Sequence, residues 1–143
     1  MNLLILFLRN KWRLSILIKP NFRHEINNQK LATAIAQDYE SKEVLMLAFI
    51  NQEAYDKSIE TGYAHYYSTS RDSIWFKGEE SGHTQEIKDI LFDCDKDAVI
   101  FMVKQTGGAC HTGHYSCFYS KLSDDNENLI ELDEKIFNPD EIY

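Results

Sequence analysis

The sequence predicts one α+β domain, predominantly β, with one or two short helices. Three observations carry that expectation. The chain has 143 residues and a mass of 16.7 kDa, room for one hydrophobic core, because two separate cores of half the size would each be marginal. Short apolar runs bounded by turn-forming residues outnumber stretches with helical periodicity. A composition of 43% hydrophobic and 27% charged residues, with 6 Gly and 2 Pro, excludes collagen-like, low-complexity and wholly disordered chains.

Taken in order, the chain opens on the apolar run Leu3–Leu8, followed by Arg9, Lys11 and Arg13. The run is short, and its charges follow it instead of preceding it as in an export signal. Basic residues also interrupt any span of the roughly 20 apolar residues that a membrane helix needs, so no stable membrane association is expected. A short basic amphipathic surface helix and upstream sequence translated from a mis-assigned start are both compatible with this segment. Residues 1–28 are read as a basic extension without catalytic duty.

From Leu31 the pattern turns β-like. Thr33–Tyr39 and Val44–Ile50 flank a polar turn at Ser41 and Lys42 and predict a hairpin. Asn51 is placed to cap a helix running through Glu60, with Tyr55 and Ile59 on one face and Gly62 at its stop. Tyr63–Thr69, Ile74–Lys77, His83–Asp93, Ala98–Val103 and Tyr115–Ser120 predict further strands, divided by Arg71-Asp72, Gly78–Gly82 and Thr106–Gly113. Residues 29–122 make up the domain. Residues 123–143 form an acidic tail, eight acids against Lys135, whose Leu129-Ile130, Leu132 and Ile136-Phe137 suffice to dock weakly on a surface. No repeat at solenoid periods occurs.

A formal charge of −8 and a pI near 5.0 repel a phosphate backbone over most of the surface, which argues against nucleic acid as partner. Three cysteines are an odd number and too few for a disulfide scaffold, so a reducing compartment, the cytoplasm, is expected.

The chemistry-bearing residues concentrate in two stretches, Asp93–Asp97 and GGACHTGHYSC, Gly107–Cys117. Cys94, Cys110 and Cys117 offer three thiolates, which suit zinc. Three protein ligands leave one tetrahedral position for water, whose pKa the ion lowers toward neutrality. His111 and His114 flank the loop cysteines as a fourth ligand or as proton carriers. The spacing lacks the paired C-x-x-C of zinc ribbons, and buried cysteines acting as small hydrophobes stand as the alternative.

Asp93, Asp95 and Asp97 alternate with Cys94 and Lys96. On an extended strand, a period of two sends the carboxylates to one face and Cys94 to the other, away from its own chain's loop. Converging carboxylates suit Mg²⁺, and a solvated acidic turn is the alternative. Ala98 and Lys104 stand where a calcium loop needs Gly and Glu, which excludes that geometry. In Tyr66–Gln85, Ser68, Ser70, Ser81, Arg71 and Lys77 form a set able to bind anions. A β-hairpin with a solvent-facing turn explains the same segment, with Trp75 and Phe76 packing.

The run from Ala34 to Leu122, with QDYESKEVLMLAFIN, STSRDSIWFKGEESGHTQ, DCDKDA and GGACHTGHYSCFYS in that order, resembles the phosphoribosyl-AMP cyclohydrolase family of histidine biosynthesis. The resemblance implies a hydrolase that opens the purine ring of 1-(5-phosphoribosyl)-AMP between N1 and C6. The product is the phosphoribosyl-formimino aminoimidazole carboxamide ribotide. It also implies a compact, predominantly antiparallel homodimer. Cys94, Cys110 and Cys117 match the ligands of a zinc ion held between two subunits, and Asp93, Asp95 and Asp97 match magnesium ligands. His111 is assigned proton transfer, whereas His114 falls where the family's motif is not fixed. Arg71 and Lys77 are expected to grip phosphate, with Ser68, Ser70 and Ser81 behind them. Residues 1–28 have no counterpart in the family. The little more than twenty residues after the matched segment are too few for the pyrophosphohydrolase domain that some relatives carry, so a monofunctional chain is expected. A nucleobase deaminase would show H-x-E and P-C-x-x-C segments, and neither occurs. The non-enzymatic alternative is a structural zinc-binding module for a protein partner, with four protein ligands closing the site.

Overall fold

Alternation on one strand sets the centre of the molecule. In β2 (Gln29–Asp38) the small side chains of Ala32, Ala34 and Ala36 all face inward and are fully buried, the period-two consequence of a pleated strand. Their small size leaves room for Tyr66 and Phe101, the two largest fully buried side chains, whose ring centroids lie 6.0 Å apart. Leu45, Ile50, Val99 and Val103 complete this core from neighbouring strands.

The computed structural model describes residues 18–143. After β1 (His24–Ile26) and β2 come β3 (Val44–Ile50), α1 (Gln52–Thr61), β4 (His65–Ser68), β5 (Ser73–Phe76), β6 (Gln85–Phe92), β7 (Ala98–Gln105), β8 (Ser120–Leu122) and β9 (Leu129–Glu131), with a 3₁₀ turn at Pro139–Glu141. The main sheet runs β5-β4-β3-β2-β7-β6, with β1 folded back on the start of β2, and β8 and β9 form a separate hairpin. Neighbours are antiparallel except β2 and β7, which are parallel. The sheet is thus predominantly antiparallel, and at the one parallel pair the long excursion between the two strands supplies the crossover that parallel pairing needs. The outer edge of β6 meets the segment after α1 through Ala64 N–H to Gln85 O at 2.9 Å and Ile87 N–H to Gly62 O at 2.8 Å. The sheet therefore curls round its core. Among the described residues this is a single small domain of mostly strands with one α-helix, and no described helix is long and apolar enough to cross a membrane.

The predicted hairpin is β2–β3, although β2 begins at Gln29, and the predicted helix is α1. Asn51 Oδ1 accepts from Ala54 N–H at 2.8 Å, and Gly62 closes the helix at φ +78°. Two expectations fail. Tyr115–Ser120 is no strand up to Tyr119, because its polar groups bond outside any ladder: Ser116 Oγ donates to Val44 O at 2.7 Å, Cys117 N–H to Leu45 O at 2.8 Å, and Phe118 N–H to Ser116 Oγ at 2.9 Å. Asp93–Asp97 is likewise not extended. It is the β6–β7 turn, with Lys96 at φ +63° and its N–H on Asp93 O at 3.2 Å.

The described part of the first segment joins the fold, and so does the tail, whose Ile136 N–H bonds Gly113 O. Tyr55 donates its hydroxyl to Ile18 O at 2.9 Å, and Asn21 N–H bonds Lys96 O at 2.7 Å, so residues 18–28 are tied to α1, to the β6–β7 turn and, through β1, to β2. The expectations for Leu3–Leu8 and its basic flank lie outside the described residues.

Candidate metal and catalytic site

Beyond β7 the chain enters an irregular loop, Gly107–Cys117, held by its own backbone: Ala109 N–H to Tyr115 O at 2.9 Å, Cys110 N–H to His114 O at 3.2 Å and Gly113 N–H to Cys110 O at 3.3 Å. This folds Cys110 and Cys117 against each other. Cys110 is buried, with Sγ 3.0 Å from Thr112 Oγ1. Cys117 reaches the surface, yet desolvation of its thiol and the adjacent Cys110 push its pKa up to about 12, against the pull of Lys77. Lys77 is only 6% exposed, and its Nζ donates to Ala109 O at 2.7 Å beneath the loop. Burial lowers its pKa, and the two thiols oppose that shift. His111 stands exposed next to Cys110. His114 is buried, its ring stacked flat on Tyr119 at 3.6 Å, and among the described residues its Nδ1 and that of His83 have no partner.

At the other end of β7, Asp93, Asp95 and Asp97 bring carboxylate oxygens within 4.8 Å of one another. A turn, not strand alternation, achieves the convergence. Arg23 Nη2 lies 3.0 Å from Asp95 and 2.5 Å from Asp97, and His24 Nε2 lies 3.2 Å from Asp97. Desolvation and the contact with Asp97 raise the pKa of Asp93, whereas hydrogen bonds from Asp95 and Asp93, together with Arg23, hold that of Asp97 down. Three hard oxygens fit a divalent cation such as Mg²⁺.

The thiols fit a soft ion only in part. Cys94 precedes β7 and the Cys110–Cys117 pair follows it, and the strand's 8 residues span roughly 25 Å. Among the described residues the aspartate trio is the one place where three ligand atoms converge. A single chain thus offers two thiols at one end and a third, exposed, at the other.

The anion-binding candidates also divide. Ser68, Ser70 and Arg71 meet in the β4–β5 turn, where Ser68 Oγ lies 3.2 Å from Ser70 Oγ and accepts from Arg71 N–H at 3.3 Å. Lys77 and Ser81 lie past the opposite end of β5; Ser81 Oγ accepts from His83 N–H at 3.1 Å. The expected single cluster is not assembled within one chain. His83 stands at the start of a predicted strand, and nothing in its neighbourhood of the sequence marks it as a packing partner of the cysteine loop. Arg23 and His24 lie in the basic N-terminal segment and carry no local signal for their aspartate partners, more than 70 positions away.

A family model described as phosphoribosyl-AMP cyclohydrolase matches residues 46–119. A protein of that description from Methanosphaera stadtmanae is 67% identical over 127 residues, covering 89% of this chain and 98% of the relative. One from Methanobrevibacter smithii is 60% identical over 129 residues, 86% of this chain and 98% of the relative. One from Methanothermobacter thermautotrophicus is 52% identical over 136 residues, 95% and 97% respectively.

Proposed function

We propose, for a chain that belongs to the phosphoribosyl-AMP cyclohydrolase family of histidine-biosynthesis hydrolases, opening of the purine ring of 1-(5-phosphoribosyl)-AMP by water between N1 and C6. The observation that carries the reading is the placement of two complementary, individually incomplete donor sets at the two ends of β7. In a homodimer, Cys94 of one chain and Cys110 and Cys117 of the other would hold zinc, while Asp93, Asp95 and Asp97 would hold magnesium. The exposed Leu122, Leu129, Ile130 and Leu132 on and beside the β8–β9 hairpin offer a second chain apolar surface. Free thiols at the surface suit a reducing cytoplasm.

When bound, zinc supplies Lewis acidity that brings the pKa of water toward neutrality, and magnesium balances phosphate charge. The residues of the chain do the rest. Alkylation at N1 leaves the ring electron-poor, so C6 accepts the oxygen of water. An imidazole nitrogen of His111, exposed beside Cys110, takes the proton and returns it to N1 as the N1–C6 bond breaks. The second water proton passes to the exocyclic nitrogen, so C6 becomes the carboxamide carbon, and N1 remains on the formimino side. Lys77 faces the two thiols from beneath the loop and favours their deprotonated, ligating form; its burial takes it away from substrate phosphate. Arg71 and Ser70 stay exposed, beside a half-buried Ser68, and grip phosphate. Ser81 holds the backbone of His83.

The test mixes purified protein with phosphoribosyl-AMP and follows the ultraviolet change of ring opening with and without a zinc chelator. Metal-replete protein turns over, and chelation stops it. His111→Ala keeps its zinc and loses turnover; if zinc leaves with the imidazole, His111 is a fourth ligand and the site is a closed structural one. A metal-replete sample that leaves the ring intact overturns the reading.

A further inference from the structure

The loop that carries Cys110 and His111 has no strand or helix of its own, yet it is held on two sides. Lys77 supports it from beneath through Ala109 O at 2.7 Å. On the other side lies Lys135–Phe137, far along the acidic tail and outside the residues that the family model matches. Ile136 N–H donates to Gly113 O at 2.8 Å. The Phe137 ring covers Gly108 so closely that a Cβ there would lie 2.6 Å from it, and a Cβ on Gly113 would lie 2.6 Å from Phe137 O. The same ring meets the edge of His83 with centroids 4.7 Å apart. The His83 ring in turn sits where a Cβ of Gly107 would be, at 2.5 Å. One aromatic side chain thus bears on the start of the loop through His83 and Gly107, and on its body directly.

We propose that Phe137 is a positioning residue: its ring, through Gly108 and His83, and its backbone, against Gly113, fix the Gly107–His114 loop, and with it the placement of Cys110 and His111. The core of the sheet excludes Phe137, so its loss acts on the loop and not on the fold. The catalytic part of this inference rests on the function proposed above; the mechanical part does not.

Two readouts on the full chain separate them. Hydrogen exchange follows the loop amides of Ala109, Cys110 and Gly113 alongside those of β7 as an internal standard. Steady-state ring opening gives kcat and KM. In Phe137→Ala the loop amides exchange faster while β7 keeps its protection. Its kcat falls roughly tenfold to a hundredfold, the scale of a misplaced catalytic group, with KM changed far less. Phe137→Tyr, which keeps the ring, restores both. Equal loss of protection in β7 makes Phe137 an ordinary contributor to the fold and overturns the proposal. Unchanged loop exchange, or a kcat equal to wild type, overturns it too. If the wild-type protein itself opens no ring, the functional reading fails, while the exchange comparison still decides whether Phe137 holds the loop.

Discussion

Asp38 shows how one carboxylate ties local and distant structure together. Its Oδ1 accepts the N–H groups of Glu40 and Ser41, both at 2.8 Å, closing the β2–β3 turn, and its Oδ2 accepts the hydroxyl of Tyr115 from the cysteine loop. Burial pushes its pKa up, but the Tyr115 hydroxyl and the two N–H groups outweigh burial, and the net value falls below the ordinary aspartate range. A carboxyl whose folded pKa is depressed adds stability that is complete above its unfolded value and vanishes as pH falls through the folded one. Asp38→Asn therefore costs about 1 kcal/mol at neutral pH. The gap to wild type closes as the pH drops below roughly 4. Urea unfolding over a pH series measures it, and a gap independent of pH contradicts the assignment. The polar turn at Ser41 and Lys42 was legible from neighbouring residues. The partnership with Tyr115 was not, because nothing near position 38 encodes a partner 77 positions away.

Among the elements, α1 is the clearest case of a structure written locally. Asn51 satisfies one of the four unpaired N–H groups of the first turn, and Gly62 takes a left-handed conformation that costs other residues a steric clash. A Cβ at Gly62 would meet nothing within 4 Å, so the penalty of substitution is conformational alone. Gly62→Ala is expected to lower stability by about 1 kcal/mol, with Gly62→Asn in between, since asparagine tolerates that region. Thermal or urea unfolding ranks the three, and an alanine variant as stable as wild type refutes the account. The same local logic misjudged Tyr115–Ser120 and Asp93–Asp97. Aromatic and alternating residues resemble strands in composition, but the first segment spends its hydrogen bonds on Val44, Leu45 and Ser116, and the second reverses direction at Lys96.

For the whole molecule, the separation of Cys94 from Cys110 and Cys117 by β7 means that the zinc site proposed above would have to draw on two chains. Complementation tests this directly. Cys94→Ser and Cys110→Ser are each expected to be inactive. Mixed in equal amounts under conditions that exchange subunits, half the dimers are hybrids in which one of two sites is wholly wild type. The mixture should then recover about a quarter of wild-type activity. A mixture as dead as its components excludes the shared site.

The sequence by itself determined the kinds of groups available: three thiols, three clustered aspartates, a loop histidine, a capped helix and the central hairpin, together with the motif order that marks the family. Those signals act over a few residues, through backbone preference, side-chain period and ligand chemistry. Only the tertiary structure decided which groups meet. It buried Lys77 beneath the cysteines, set Arg23 and His24 against the aspartates, parted Ser81 from Arg71, and laid Phe137 across the loop. Each of these depends on how strands pair and how the sheet curls, and the free energy that selects a pairing is spread over the entire core, not stored in any short stretch of chain.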